Sequence, residues 1–176
     1  MRVVAGQVGG RRLHAPAGRA TRPTADRVRE ALFSMLGDVS GDRVVDLYAG
    51  SGALGIEALS RGAGQADFVD SARPAVDVIR RNLAELGLEG TVHRHDALSW
   101  LAQAGGGRSY DLVFCDPPYA SAVRLAEPLS ECLPALLNES ARIVTESDKR
   151  HPLELSLPLV RERTYGDTRI AIHSGG

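Results

Sequence analysis

Residues 43–55 read Arg43-Val-Val-Asp46-Leu-Tyr-Ala-Gly50-Ser-Gly52-Ala-Leu-Gly55, and this stretch decides the fold. It opens with a short apolar run suited to a strand, and a helical pattern follows Gly52. Between them, G-x-G-x-x-G sets a tight turn at a helix N-terminus, where free N–H groups favour an anionic ligand group. Asp70 ends the next strand, 20 residues beyond Gly50. The same letters spell a dinucleotide fingerprint, whose acidic residue bonds a ribose. The glycines alone therefore leave the ligand open. They do exclude a P-loop, since no Lys-Ser/Thr follows them.

On either side of this stretch the pattern alternates. Strands are expected at 43–47, 66–70, 91–95, 111–115 and 142–146, with helices at 52–61, 74–86, 97–104 and 121–133 between them. Short apolar strands separated by helices imply βαβ units and a parallel sheet covered on both faces. Two further strands, 159–164 and 169–173, flank Tyr165-Gly-Asp-Thr168, so the sheet should finish in an antiparallel hairpin. Ahead of it, 2–14 reads as a short hairpin broken at Gly9-Gly10, then a loop, then a helix capped by Thr24 and ending near Gly37. Pro128 is expected to interrupt its helix. Gly105, Gly106 and Gly107 form the one low-complexity spot.

Asp46 bears on which ligand the glycine loop serves. It sits four residues before the first glycine, where strand meets loop. Beside a pyrophosphate its charge would repel; beside the ammonium and sulfonium of S-adenosylmethionine it would attract. The methionine carboxylate could then use the loop amides, Asp70 the ribose hydroxyls, and Asp96, after the third strand, the adenine amino group. Asp46 and Asp96 could instead merely cap helices. Three acids ending successive strands at one sheet edge favour a ligand, because open parallel sheets bind at the carboxyl ends of their strands.

The fourth strand delivers Asp116-Pro117-Pro118-Tyr119. Two prolines lack N–H donors and fix φ, so they end the strand and stiffen the corner. Such a corner can hold the Asp116 carboxylate and the Pro117 carbonyl as paired acceptors for an exocyclic base amine. Accepting both hydrogens frees a lone pair otherwise delocalised into the ring. Tyr119 offers a ring for stacking, worth roughly 1–3 kcal/mol per base. A base must leave its helix to enter such a slot. A bare tight turn is the simpler reading of the tetrapeptide in isolation.

Composition sets the limits. The chain has 176 residues, 43% hydrophobic and 24% charged, enough to bury the core of one domain. No run of about 18 apolar residues is present to span a membrane. The opening residues reach charge and glycine too early for a secretory signal, so a cytoplasmic protein is expected. Cys115 and Cys132 are too few for a disulfide scaffold, and Cys115 within an apolar strand reads as a packing residue. His93 and His95 lack a third ligand at suitable spacing, so no metal is expected. Trp100 reads as packing. The net charge of −1 hides an asymmetry: residues 1–30 carry seven arginines against Asp26 and Glu30, a local +5 on a body of −6. A basic arm suits a phosphate backbone, though a solvated surface has the same composition.

Taken together, the motifs resemble the RsmD family of bacterial small-subunit ribosomal RNA (guanine-N2)-methyltransferases, which use S-adenosylmethionine. The resemblance runs through Arg2-Val-Val-Ala-Gly6, Gly10-Arg-Arg12, Arg22-Pro-Thr-Ala-Asp-Arg-Val-Arg-Glu30, Asp46 to Arg61, Asp116 to Tyr119 and Tyr165 to Arg169. It implies a Rossmann-like class I methyltransferase sheet at 38–176, preceded at 1–37 by a basic hairpin and helix facing RNA. It implies that Asp46, Ala49, Gly50, Ser51 and Gly52 hold the methionine end of the cofactor, Asp70 the ribose, and Asp96 and Ala97 the adenine. Relatives often carry Glu where this chain has Asp70. Asp116, Pro117, Pro118 and Tyr119 would hold the guanine, and Arg11, Arg12, Arg22 and Arg27 the RNA, with the protein acting as a monomer. A DNA amino-methyltransferase acting on adenine N6, a nicotinamide-dependent oxidoreductase and a non-catalytic RNA-binding module are the competing readings.

Overall fold

The computed structural model describes residues 1–16, 26–104 and 109–175. Arg19, Arg22, the Thr24 cap and the three consecutive glycines lie outside them. Among the described residues the elements run α1 (Asp26–Leu36), β1 (Arg43–Leu47), α2 (Ala53–Ser60), β2 (Gln65–Asp70), α3 (Arg73–Leu86), β3 (Thr91–Arg94) and α4 (Ala97–Ala104). They continue with β4 (Tyr110–Cys115), α5 (Ala122–Cys132), β5 (Leu137–Asp148), β6 (Leu159–Tyr165) and β7 (Thr168–Ser174). None of these helices is long and apolar enough to cross a membrane.

One seven-stranded sheet organises the chain, in the order β3-β2-β1-β4-β5-β7-β6. The strands β1 to β5 are parallel, and β7 runs antiparallel between β5 and β6. This is the expected Rossmann-like sheet with its terminal hairpin. The order reverses between β1 and β4, so their carboxyl ends open a crevice.

Side-chain alternation along the central strands feeds two apolar layers. Val44, Leu112 and Phe114 join the cluster that holds Leu32 and Phe33 of α1, Ile56 of α2 and Ile79 of α3. Val45, Leu47, Val113 and Cys115 join the opposite cluster, with Trp100 and Leu101 of α4 and Leu129 of α5. Cys115 and Trp100 are thus packing residues. Gly55 lets α2 lie close on the sheet: a Cβ there would fall 2.4 Å from the Phe68 ring.

Two elements differ from the sequence reading. The helix α5 runs through Pro128 rather than stopping there. The backbone acceptor that Pro128 cannot bond belongs to Arg124, an exposed residue, where water can take the donor's place. The strand β5 begins at Leu137, earlier than its apolar run suggests. Its first residues, Asn138, Glu139 and Ser140, are polar, and the pairing with β4 shifts register between Tyr110 and Leu112.

The basic arm is built onto the sheet domain. Arg2 and Arg12 form a single antiparallel bridge, and Val3 N–H donates to Arg11 C=O at 2.9 Å. Val3 and Leu13 are buried in the α1–α3 layer. The wholly buried Glu57 of α2 accepts the amides of Val4 (2.7 Å) and Ala5 (3.0 Å) and the Arg61 guanidinium. The Ser60 hydroxyl donates to Ala5 C=O and accepts Val8 N–H. Replacing Glu57 by Ala strands two backbone donors and an arginine. The substitution is expected to lower stability by about 3 kcal/mol, read from the urea midpoint, because each buried polar group left unpaired costs roughly 1–3 kcal/mol.

Candidate active site

The carboxyl ends of β1, β2 and β4, together with the turn after β3, surround one cavity of about 600 Å³. Asp46, Ala49, Gly50 and Ser51 line it from the β1 side, Asp70 from β2, Asp96 and Ala97 from beyond β3, and Asp116 to Tyr119 from β4. The cofactor residues and the diproline corner expected from sequence therefore share one space; Gly52 stands just behind the wall. Met1, Ala15 and Pro16 of the arm also line it, as does His95 after β3.

Asp46 leaves the end of β1 almost fully buried, and its Oδ2 accepts the Gly55 amide at 3.0 Å. It thus satisfies a donor in the first turn of α2 while facing the cavity. Burial pushes its carboxyl up to about 8, against the pull of the Gly55 amide, and the charge on Asp70 adds to the rise. Asp70 holds the glycine loop: Oδ2 accepts Gly50 N–H at 2.9 Å and Oδ1 accepts Ala72 N–H at 2.8 Å. The Gly52 amide donates to Ala49 C=O at 2.7 Å. The amides of Gly50 and Gly52 are therefore engaged within the protein, and the glycines contribute shape. Gly52 turns the chain into α2 at φ 76°, a left-handed conformation that favours glycine.

Asp96 is exposed and caps α4, with both the amide (2.9 Å) and hydroxyl (3.0 Å) of Ser99 donating to Oδ1. It caps a helix and lines the cavity at once. Asp116 is half-buried, and among the described residues no hydrogen bond reaches its carboxylate. Burial, then the charge of Glu146, then that of Asp46 hold its carboxyl well above the usual carboxylate range. Tyr119 is half-buried, and burial raises its phenol, opposed by a side-chain hydrogen bond with Thr168 of β7. Among the described residues no lysine or arginine lines the cavity. Four acids around one cavity, two of them proton-hungry, make a site suited to a cation.

Three contributors were not read from sequence. Tyr48 lines the cavity with φ 59°, the one non-glycine residue with positive φ among the described residues. That conformation costs roughly 1–3 kcal/mol and tends to occur at functional sites. Asn82 of α3 accepts His14 N–H and donates to His14 C=O and Ser51 C=O, pinning arm and glycine loop together. Glu146 of β5 is 4% exposed beside Asp116. A lone acid in a strand pattern carried no signal.

Other candidates take structural places. His93 bonds Asp67 at 2.7 Å and packs on Trp100. No group of three or more His, Cys, Asp or Glu among the described residues could hold a metal ion. Arg11 donates to Glu85 C=O at 2.8 Å, and Arg12 and Arg27 are exposed.

Asp46 makes stability depend on pH with a definite sign. Between its ordinary value of 3.8 and about 8, the folded protein holds a proton that the unfolded chain has released. Stability contributed by this group therefore falls as pH rises through that window. Asp46→Asn is expected to flatten the fall in melting temperature over the same window, measured by calorimetry without ligand. Asp116 acts in the same direction, so part of the slope should persist.

Comparison with known proteins agrees with this geometry. Residues 1–174 match the family model described as Conserved hypothetical protein 95. YlbH of Bacillus subtilis is 41% identical over 180 residues, covering 98% of each chain. Ribosomal RNA small subunit methyltransferase D of Haemophilus influenzae is 33% identical over 174 residues, covering 94% of this chain and 89% of that one. The solved structure of a hypothetical protein from Thermus thermophilus superposes with a TM-score of 0.86 at 30% identity, covering 99% of both chains. The chain belongs to the RsmD family of S-adenosylmethionine-dependent ribosomal RNA methyltransferases.

Proposed function

We propose that this protein transfers a methyl group from S-adenosylmethionine to the exocyclic N2 amine of a guanine in small-subunit ribosomal RNA. One observation carries the reading. The acids ending β1 and β2 and following β3 share a single cavity with Asp116-Pro117-Pro118-Tyr119.

The residues present fit the cofactor. Asp46, buried and holding a proton up to about 8, gains from a nearby cationic ammonium or sulfonium that lets it ionise. Asp70, which ties the glycine loop through Gly50 and Ala72 and lines the cavity, would bond the ribose hydroxyls. Asp96 receives both Ser99 donors on Oδ1, leaving Oδ2 for the adenine amino group beside Ala97. The bound cofactor supplies a methyl group made electrophilic by a cationic sulfur.

The chain's own residues do the rest. Asp116, ionised once a cation shares the cavity, accepts an N–H from the target amine, and the Pro117 carbonyl accepts the other. The prolines hold these acceptors without backbone motion, so positioning and electrostatics supply the acceleration. Tyr119 stacks on the extruded base. Residues 1–37 form the RNA-facing extension, with Arg12 and Arg27 exposed toward phosphates.

Incubation with methyl-tritiated S-adenosylmethionine should label small-subunit RNA or subunits but not duplex DNA, and nucleoside digestion should return N2-methylguanosine. Label in DNA alone would transfer the assignment to adenine chemistry. Asp116→Asn should cut turnover by roughly 10²–10⁴, the usual worth of a positioned acid–base group. Its affinity for S-adenosylhomocysteine, by calorimetry, should stay within a few-fold of wild type. Replacing Arg11, Arg12 and Arg27 together by Ala should flatten the salt dependence of RNA binding, by about 0.7–0.9 in slope for each phosphate no longer neutralised.

A further inference from the structure

The buried side chain of Asn82, on α3, bonds three backbone groups. Its Oδ1 accepts the His14 amide at 2.9 Å, and its Nδ2 donates to His14 C=O at 3.1 Å and to Ser51 C=O at 3.0 Å. Toward His14 the carboxamide pairs with both backbone groups of one residue, as a neighbouring strand would. Its other N–H goes to the glycine loop. The two donors and the acceptor belong to one planar group, so a shift of Ser51 C=O turns the plane that holds His14.

Both ends of this tie reach the cavity. Ser51 lines it directly, and Ala15 and Pro16, which follow His14, line it from the arm. The other attachments of the arm do not make this connection. Glu57 and Ser60 hold residues 4, 5 and 8 to α2 through groups that do not line the cavity. Arg11 and His14 each reach Glu85 at 2.8 Å, on the exposed face of α3. The Ser51 hydroxyl meets the Met1 sulfur at 4.0 Å, a weak contact because a thioether is a poor acceptor.

We propose that Asn82 is a positioning residue that couples cofactor binding to RNA binding. S-adenosylmethionine in the cavity fixes Ser51 and Pro16, the carboxamide carries that constraint to His14, and the arm is held in the shape that meets RNA. By linkage the effect is reciprocal: RNA on the arm tightens the cofactor by the same factor. The loaded enzyme is then the form that captures its substrate. The inference rests on the methyl-transfer reading above, in which residues 1–37 face RNA.

Two measurements test it, each made with and without S-adenosylhomocysteine. The first needs no RNA. Amide hydrogen exchange by NMR reads Gly10 and Leu13, whose N–H groups donate within the arm to Val3 C=O and Met1 C=O. In wild type, S-adenosylhomocysteine should slow their exchange several-fold. The slowing should vanish in Asn82→Ala and in the nearly isosteric Asn82→Asp, which keeps an acceptor for the His14 amide but lacks the pair of donors. The loop amides of Gly50 and Gly52 should still slow in both variants. The second measurement is affinity for small-subunit RNA. S-adenosylhomocysteine should raise it about tenfold in wild type, inside the usual span of coupling between sites, and hardly at all in the variants. A merely structural Asn82 would lower the melting temperature or weaken each partner alone, and would leave these ratios unchanged. Unchanged arm exchange or RNA affinity in wild type, or slowing that survives in a folded Asn82 variant, overturns the proposal. Arm protection that depends on Asn82 in a protein that binds no ribosomal RNA would leave the tie from cavity to arm standing and remove the RNA reading instead.

Discussion

Carboxylates gathered at one end of a parallel sheet lose water to burial and repel one another, and that combined cost governs this molecule. Asp46 and Asp116 are raised by burial and by their acidic neighbours, and the described wall of their cavity offers no lysine or arginine to offset them. Apart from the Gly55 amide that bonds Asp46, the protein alone relieves this cost by holding protons. A ligand carrying positive charge offers a better relief, because each acid can then ionise against it. In the proposed reading the same acids favour a cationic donor over a dinucleotide, whose pyrophosphate would add to the repulsion.

The fold brings this about by topology. Reversal of strand order between β1 and β4 leaves a crevice at their carboxyl ends, and each loop leaving that edge contributes one group. Tight packing behind the crevice fixes the groups: Gly55 admits the Phe68 ring, and Asp70 and Asp46 tie the glycine loop and the first turn of α2 to the strand ends. The carboxylates thus serve twice, as framework ties and as lining of the cavity. Asp96 shows the two roles are not alternatives, since it caps α4 and walls the cavity together.

Much of this was legible in the sequence, because it depends on local pattern. Strand β1 and helix α4 fall where apolar periodicity puts them, and the other strands differ by a few residues at their ends, apart from the polar start of β5. Asp46, Asp70 and Asp116 stand out because each closes an apolar run. What escaped depends on tertiary register. Glu146 gains meaning only once β5 lies beside β4, and Asn82 only once α3 passes between the arm and the glycine loop. The left-handed Tyr48 is invisible for another reason: its side-chain type argues against the conformation that the surrounding loop imposes. The arm's attachment through Glu57 likewise joins residues more than fifty positions apart.

The outer strand of the sheet carries a consequence of its own. Strand β6 pairs on one side only, and six of its seven residues are exposed. Its free edge could template another chain, the usual hazard of an open sheet. Here Arg161, Glu162 and Arg163 follow Val160 in succession, so any strand adding to that edge would have to strip water from three adjacent charges. The sheet can stay open at this margin because its border is guarded against self-recruitment.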